Sequence, residues 1–356
     1  MKNPFALTLL TMVTLQTAVR AQIPASGGEA SAIQEAVNLS RRGEYRQAMQ
    51  SYQQLLSIAP VTSNVELRAY VLSRIADSAI ELGEYGEAET RSREALSILA
   101  SAGKSHTSTF AIAEGVRAAT LRAQGNYAEA RAAAERAIII AKGTIDPRHP
   151  RFAILLTTMA QVLQEKGDLR RAAALCRRAV GIFEGAKDTS PIDLGSAYQN
   201  LAVVYAQQGK PNAALDAVNR ALAAWSQAAP SDFPFIVYAL RTKILVYQEL
   251  RAYQKAEELI PELLELGASR FGRNHPVRVA LLNAAAAVYV AEKKYEQAEP
   301  LLREGVEVGR RRLPVGHPLL SNVLKNYSYV PAKLNRNDEA SRARAESAVL
   351  LAFPRK

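Results

Sequence analysis

The sequence predicts an all-α fold built from repeated helical hairpins, and three observations support this class. A short phrase recurs: "GEYRQA" begins at Gly43 and "GEYGEA" begins at Gly83, with related copies farther along the chain. An alanine stands five residues after the start of each copy. The composition is 48% hydrophobic but only 6% aromatic, which is more typical of close-packed helices than of β-sandwiches or barrels.

The spacing of the copies defines a structural period. After a first step of 40 residues, every later step is 42 residues. The copies begin at Gly43, Gly83, Gly125, Gly167, Gly209, Arg251, Lys293 and Asn335, and their alanines are Ala48, Ala88, Ala130, Ala172, Ala214, Ala256, Ala298 and Ala340. Repeats of this length bury their apolar faces against their neighbours, so the 356 residues are expected to form about eight similar units.

Each copy is predicted to contain two helices. In residues 194–225, a stripe of apolar or small residues three and four positions apart predicts a first helix that ends near Gly209. A second stripe with the same spacing predicts a second helix after it. The first stripe is Tyr198, Leu201, Ala202 and Tyr205, and the second is Ala214, Leu215, Val218, Ala221, Leu222 and Trp225. Ala214 and Ala221 lie on one face, where their small side chains let two helices approach closely.

His-Pro dipeptides mark the starts of first helices. They occur at His149-Pro150, His275-Pro276 and His317-Pro318, separated by 126 and then 42 residues. Proline suits the first turn of a helix because its missing N–H removes no intrahelical bond. Since the histidines lie whole repeats apart on separate loops, a structural role is favoured over a metal site.

Three prolines fall inside predicted helices. Pro261 is expected to kink or end its helix between Glu258 and Pro261, because an interior proline costs about 3 kcal/mol. Pro300 is compatible with the first turn of its helix, and Pro331 is expected to interrupt the first helix of the eighth copy.

Residues 1–21 differ from the repeats and are predicted to be a cleavable secretory signal. Lys2 gives a positive start, Phe5 to Val19 is largely apolar, and Val19-Arg20-Ala21 places small residues around a cleavage site. A retained anchor is the alternative, but about 15 mostly apolar residues are fewer than the roughly 20 that span a bilayer. The predicted organisation is a signal peptide at 1–21, a helical repeat domain at 22–350 and a tail at 351–356, in a bacterial protein exported to the periplasm or beyond. No stable transmembrane span is expected after cleavage.

Cysteine content and charge constrain stability and partners. Cys176 is the only cysteine, so no intramolecular disulfide can form, and its position between Ala172 and Ala179 predicts a small buried packing residue. The formal net charge is +11, and loss of Lys2 and Arg20 with the signal would lower it by two, to +9. A basic protein favours acidic partners.

The pattern in residues 194–225 resembles the tetratricopeptide repeat (TPR), and the resemblance covers roughly residues 29–350. The 42-residue period, the "NLAVVY" segment at 200–205 and the His-Pro junctions are similar to the kinesin light chain type. The resemblance implies a right-handed superhelical solenoid of stacked antiparallel hairpins. The third copy departs from the pattern at Glu114 and Arg117, which replace apolar residues.

The resemblance also implies that first helices line a concave face that holds an extended peptide. Asparagine and glutamine can bond a peptide backbone, while Arg74, Arg241 and Lys325 can pair with carboxylates, so acidic or C-terminal segments are the expected ligands. The alternative is that these side chains only solvate a helix face. The candidates are Tyr70, Ser73, Arg74, Asp77, Thr157, Thr158, Gln161, Gln199, Asn200, Tyr238, Arg241, Thr242, Asn283, Asn322, Lys325 and Asn326.

The sequence favours a non-catalytic binding protein or scaffold that needs no cofactor. It has no glycine-rich phosphate loop, nucleophile elbow or metal-spaced histidine pair, and only four histidines. Nucleic-acid binding is disfavoured because the arginine clusters at 41–42, 170–171, 177–178 and 310–312 form no single stripe and are expected to be solvated. Two alternatives remain: an envelope scaffold that docks through its outer face, and a regulatory or sensor subunit that binds a small ligand between repeats.

Overall fold

The computed structural model describes residues 28–187, 189–227 and 235–352, and every regular element in these ranges is a helix. The helices are α1 (Gly28–Arg41), α2 (Tyr45–Leu55), α3 (Ala59–Ser63), α4 (Val65–Glu81), α5 (Tyr85–Ser101), α6 (Ser108–Ala123), α7 (Tyr127–Thr144), α8 (Pro150–Glu165), α9 (Leu169–Gly185), α10 (Pro191–Gln207), α11 (Pro211–Ser226), α12 (Phe235–Glu249), α13 (Tyr253–Glu258), α14 (Ile260–Phe271), α15 (Val277–Ala291), α16 (Tyr295–Arg312), α17 (Pro318–Lys333) and α18 (Asn337–Ala352). The predicted signal at 1–21 lies outside the described residues, and α18 extends two residues past the predicted boundary at 350. None of the described helices is both long enough and apolar enough to cross a membrane.

The described residues form two compact units. One contains residues 28–201 with 220–227, and the other contains residues 202–219 with 235–352. In the first unit, α4 packs on α5, α6 on α7 and α8 on α9, while the first helices α4, α6 and α8 also contact one another in sequence. In the second unit, α15 packs on α16 and α17 on α18, and α12, α15 and α17 form a similar series. Contacts between successive hairpins are those of a helical repeat protein, which confirms the predicted all-α class.

The first residue of each copy adopts a left-handed backbone conformation, and it ends the first helix of that copy. All eight of these residues have positive φ, from 56° at Arg251 to 83° at Gly125. The residue that follows donates its N–H to a carbonyl five positions earlier, as Glu84 does to Ala79 at 2.8 Å and Lys294 does to Tyr289 at 2.8 Å. This is the Schellman arrangement, so the repeated phrase encodes a helix stop followed immediately by a helix start.

The alanine five residues later is a packing residue in every copy. Seven of these alanines are 0% exposed, and Ala340 is 2% exposed. Cys176 is also buried, as predicted, and burial raises the pKa of its thiol to about 12. The thiol is therefore protonated at neutral pH and contributes to packing.

The histidines of the His-Pro dipeptides cap helices. The Nδ1 atoms of His149, His275 and His317 each accept a hydrogen bond, at 3.1 Å, from the backbone N–H two residues later. Helices α8 and α17 begin at the proline itself, and α15 begins one residue after Pro276. The predicted structural role is confirmed. At each helix start, the imidazole accepts a hydrogen bond from a backbone N–H that has no partner within the helix.

The three prolines behave differently. Helix α13 ends at Glu258, and Pro261 lies in the first turn of α14, which confirms the predicted break. Pro300 is the sixth residue of α16 and therefore lies beyond its first turn. The expected interruption at Pro331 is wrong, because α17 continues to Lys333. Pro331 lies in its last turn, where a proline removes only one helical hydrogen bond.

The charged residues of the third copy are held by ion pairs with the neighbouring second helices. Glu114 is buried and accepts two hydrogen bonds from Arg136 of α7, at 2.8 and 3.0 Å. Arg117 is also buried and pairs with Glu89 of α5. Because both charges are paired, α6 tolerates them at positions that are apolar in most other copies.

Candidate binding site

A pocket of about 30 Å³ lies among the first helices of the second, third and fourth copies, α4, α6 and α8. Four of the predicted site residues line it, two from α4 and two from α8. Its lining consists of Arg74, Asp77, Ile112, Gly115, Val116, Ala119, Ile154, Leu155, Thr158 and Gln161. We call the sides of α4, α6 and α8 that carry these residues the pocket face.

The repeat phase explains why these residues meet. On both α6 and α8, three of the four pocket residues stand 13, 9 and 6 positions before the left-handed residue, which places them on one stripe of each helix. On α4, the positions 13, 9 and 6 residues before Gly83 are held by Tyr70, Arg74 and Asp77. The same phase in successive copies therefore builds one continuous lining.

The pocket has an apolar floor between two polar sides. Helix α6 contributes Ile112, Val116 and Ala119, together with Gly115, where an added Cβ would lie 2.5 Å from the side chain of Leu155. A larger residue at Gly115 would force the side chain of Leu155 to move. The two sides are the charged residues of α4 and the hydroxyl and amide of Thr158 and Gln161. This arrangement can take a small apolar group flanked by hydrogen-bonding partners.

The α4 side of the pocket is a buried ion pair. Nη2 of Arg74 lies 2.6 Å from Oδ2 of Asp77, and their side chains are only 7% and 9% exposed. The guanidinium of Arg74 also stands over the ring of Tyr70, 5.5 Å from its centroid. Burial raises the pKa of Asp77, and the opposing effect of Arg74 is smaller. The pair is thus held at the pocket in a largely dehydrated environment.

Several predicted amides are paired with amides of the next copy. Nε2 of Gln161 donates to Oδ1 of Asn200 at 3.0 Å, and both side chains are buried. In the second unit, Nδ2 of Asn326 donates to Oδ1 of Asn283 at 2.8 Å. These amides connect successive first helices, a role that the sequence pattern did not indicate.

The other candidates differ in accessibility. Buried hydroxyls at Ser73, Thr157 and Thr242 donate to the carbonyl four residues earlier in their own helices. Gln199, Tyr238 and Arg241 are buried, Thr158, Asn283 and Asn322 are half-buried, and Lys325 is exposed. Ligand binding by these residues stays a prediction, and Thr158 is the accessible candidate that lines the pocket.

Arg151 is not among the residues predicted from the sequence. It lies on α8 seven residues before Thr158, and so occupies the same side of the helix two turns earlier. The side chain is half-buried, and burial lowers its pKa, as does the nearby charge of Arg74, while Tyr70 acts in the opposite direction. Counting back by seven from Thr158 would have identified this residue.

A family model described as the MalT-like TPR region matches residues 28–355. The chain belongs to this TPR family. The match spans nearly all of the repeats. It confirms the resemblance to the TPR that the regular spacing of the alanines and glycines indicated. A search of the curated proteins found no match.

Two solved structures with TM-scores above 0.5 show the same fold at low identity. A Rap protein complexed with Competence and Sporulation Factor matches with a TM-score of 0.62 and 14% identity, covering 90% of this TPR chain and 97% of the other. NprR in complex with its cognate peptide NprX matches with a TM-score of 0.60 and 14% identity, covering 92% and 99%. A Podosopora anserina protein named for kinesin light chain and nearly identical TPR-like repeats is 20% identical over 57% of this chain and 96% of its own, with a TM-score of 0.44.

Proposed function

We propose that this TPR protein is a non-catalytic binding protein whose pocket face holds an extended peptide or a segment of a partner protein. The observation that carries the proposal is the pocket itself. First helices of three successive copies converge there, with an apolar floor between charged and amide side chains. Rap and NprR, which share the fold, have been solved with Competence and Sporulation Factor and with the peptide NprX, and this supports the same use of the fold.

The size of the pocket limits what enters it. A space of about 30 Å³ accepts the end of one small side chain rather than a whole metabolite. The rest of the ligand would then lie across α4, α6 and α8, where Thr158 offers an accessible hydroxyl. A peptide with one small apolar anchor fits this geometry better than a compact small molecule.

The test compares two tryptophan variants of the full chain against peptides selected by display on the wild-type protein. Thr158→Trp fills the pocket, whereas Ile139→Trp adds the same bulk at a 68% exposed position on the second helix α7. We expect Thr158→Trp to weaken binding of the selected peptides by about tenfold or more, which corresponds to roughly 1.4 kcal/mol. Ile139→Trp should bind normally. Full affinity in the Thr158→Trp variant would place recognition elsewhere and overturn the proposal.

We also propose that residues 1–21 direct export and are then removed. The support is the basic start, the short apolar core and the small residues that end at Ala21. Intact-mass measurement of the protein recovered from the exported fraction should show an N-terminus after residue 21. A membrane-bound protein that retains Met1 would contradict cleavage.

A further inference from the structure

We propose that the ligand of the pocket face carries a carboxylate that docks beside Arg151 and Arg74. The inference rests on the peptide-binding function proposed above and defines the charge of the peptide. The carboxylate can come from an acidic side chain or from the C-terminus of the peptide, since both offer the same pair of acceptor oxygens.

Arg151 carries a positive charge that no described carboxylate neutralises. It forms no ion pair in the described ranges, and the one charged side chain that affects its titration is another arginine, Arg74. Arg117, by contrast, pairs with Glu89. Arg122 also forms no ion pair in the described ranges, but it is fully buried. Arg151 is only half-buried, so an external anion can reach its guanidinium.

Several arginines act on the same side chain near Arg151. Arg41, Arg74 and Arg151 all act electrostatically on the phenol of Tyr70, and Asp77 acts in the opposite direction. A carboxylate bound beside Arg151 would be attracted by these arginines.

Two buried donors beside Arg151 also lack acceptors. Nε of Arg74 and the hydroxyl of Tyr70 have no hydrogen-bond partner among the residues that the structure describes. Both side chains are more than nine-tenths buried, and Arg74 lines the pocket. An unsatisfied buried donor is destabilising, so an anionic acceptor arriving at this position gains more than it would at an open surface.

The helix geometry sets the distance between the anchor and the carboxylate. Thr158 lies seven residues after Arg151, a separation of about 10 Å along the helix axis. An extended peptide advances about 3.3 Å per residue. A peptide running along α8 with its small apolar side chain in the pocket therefore places a carboxylate at Arg151 about three residues away.

The test uses three pools of N-terminally labelled octapeptides that carry a neutral fluorophore and a fixed alanine or valine at the fifth position. One pool is C-terminally amidated and has no acidic residue. The second is amidated and has a fixed glutamate three positions from the anchor. The third has a free C-terminal carboxylate three positions from the anchor and no acidic residue. Fluorescence anisotropy measures binding of each pool to the full chain at low ionic strength, where charge contributes most.

We expect the glutamate pool or the free-carboxylate pool to bind about tenfold more tightly than the neutral pool, and the tighter of the two identifies the source of the carboxylate. Arg151→Gln should remove this difference, and Arg151→Lys should retain most of it. Arg177→Gln, which removes an equally positive but exposed side chain from α9 of the same hairpin, should leave the difference intact. Unchanged melting temperatures would show that each variant is folded.

The outcomes separate the two proposals. Equal binding of all three pools, or an unchanged preference in Arg151→Gln, would overturn the carboxylate site while leaving peptide binding in place. Absence of binding by every pool at millimolar protein concentration would overturn the peptide-binding function, and the carboxylate site with it.

Discussion

The imidazole of His149 stabilises a helix start only in its neutral form. Its Nδ1 accepts the N–H of Arg151 at 3.1 Å, and a protonated Nδ1 cannot accept a hydrogen bond. Burial lowers the pKa of His149 below 6.5, and the positive charge of Arg151 lowers it further. At the scale of single residues, the histidine of the His-Pro dipeptide therefore makes the stability of the helix start depend on pH. Proline alone would not do so.

The sign of this pH dependence follows from the lowered pKa. Because the folded pKa lies below the unfolded value, the contribution of His149 to stability is complete above about pH 6.5 and is lost as pH falls through the folded pKa. His149→Asn keeps a capping oxygen that does not titrate in this range. Urea denaturation of both proteins between pH 7.5 and 5 should show that the wild type loses stability relative to the variant. A constant difference across this range would contradict the capping role.

At the scale of the element, the left-handed residue at each first-helix end is the feature with the clearest energetic consequence. Glycine supplies it in five copies, while Arg251, Lys293 and Asn335 adopt the same conformation with φ of 56°, 62° and 62°. A residue with a Cβ pays about 1–2 kcal/mol for this conformation. The later turns are therefore more strained than the earlier ones.

This strain predicts opposite effects for two matched substitutions. Lys293→Gly should raise the free energy of unfolding by up to about 1 kcal/mol, because the exposed lysine side chain contributes little packing and glycine removes the strain. Gly125→Ala, at φ of 83°, should lower it by about 1 kcal/mol or more. Chemical denaturation measures both. A loss of stability in Lys293→Gly would show that the lysine side chain has a role beyond the turn.

At the scale of the whole molecule, repetition made the fold predictable. The period fixes where helices end, the alanines mark the close contacts between helices, and Pro261 marks a break that the structure places between Glu258 and Ile260. The same phase brought Arg74, Asp77, Thr158 and Gln161 to one pocket. These features depend on local sequence and on contacts between neighbouring repeats, and both can be predicted from a periodic pattern.

The properties that require several copies at once could not be predicted. Gln161 is paired because Asn200 of the next copy lies within 3.0 Å, whereas Arg151 forms no ion pair with any residue that the structure describes. The pocket floor comes from the third copy, where Gly115 and Ala119 leave space without carrying a polar group. Pairing and space depend on which side chains meet across copies, and the period alone does not determine them.

The most direct measurement of the central claim, that the pocket face of the first helices holds the ligand, is site-specific photo-crosslinking. A photoreactive phenylalanine analogue at position 158 in one variant and at position 139 in another would be irradiated with a display-selected peptide, and the products identified by mass spectrometry. We expect crosslinks from position 158 and none from position 139. Crosslinks from position 139 with none from position 158 would place the ligand on the second helices and contradict it.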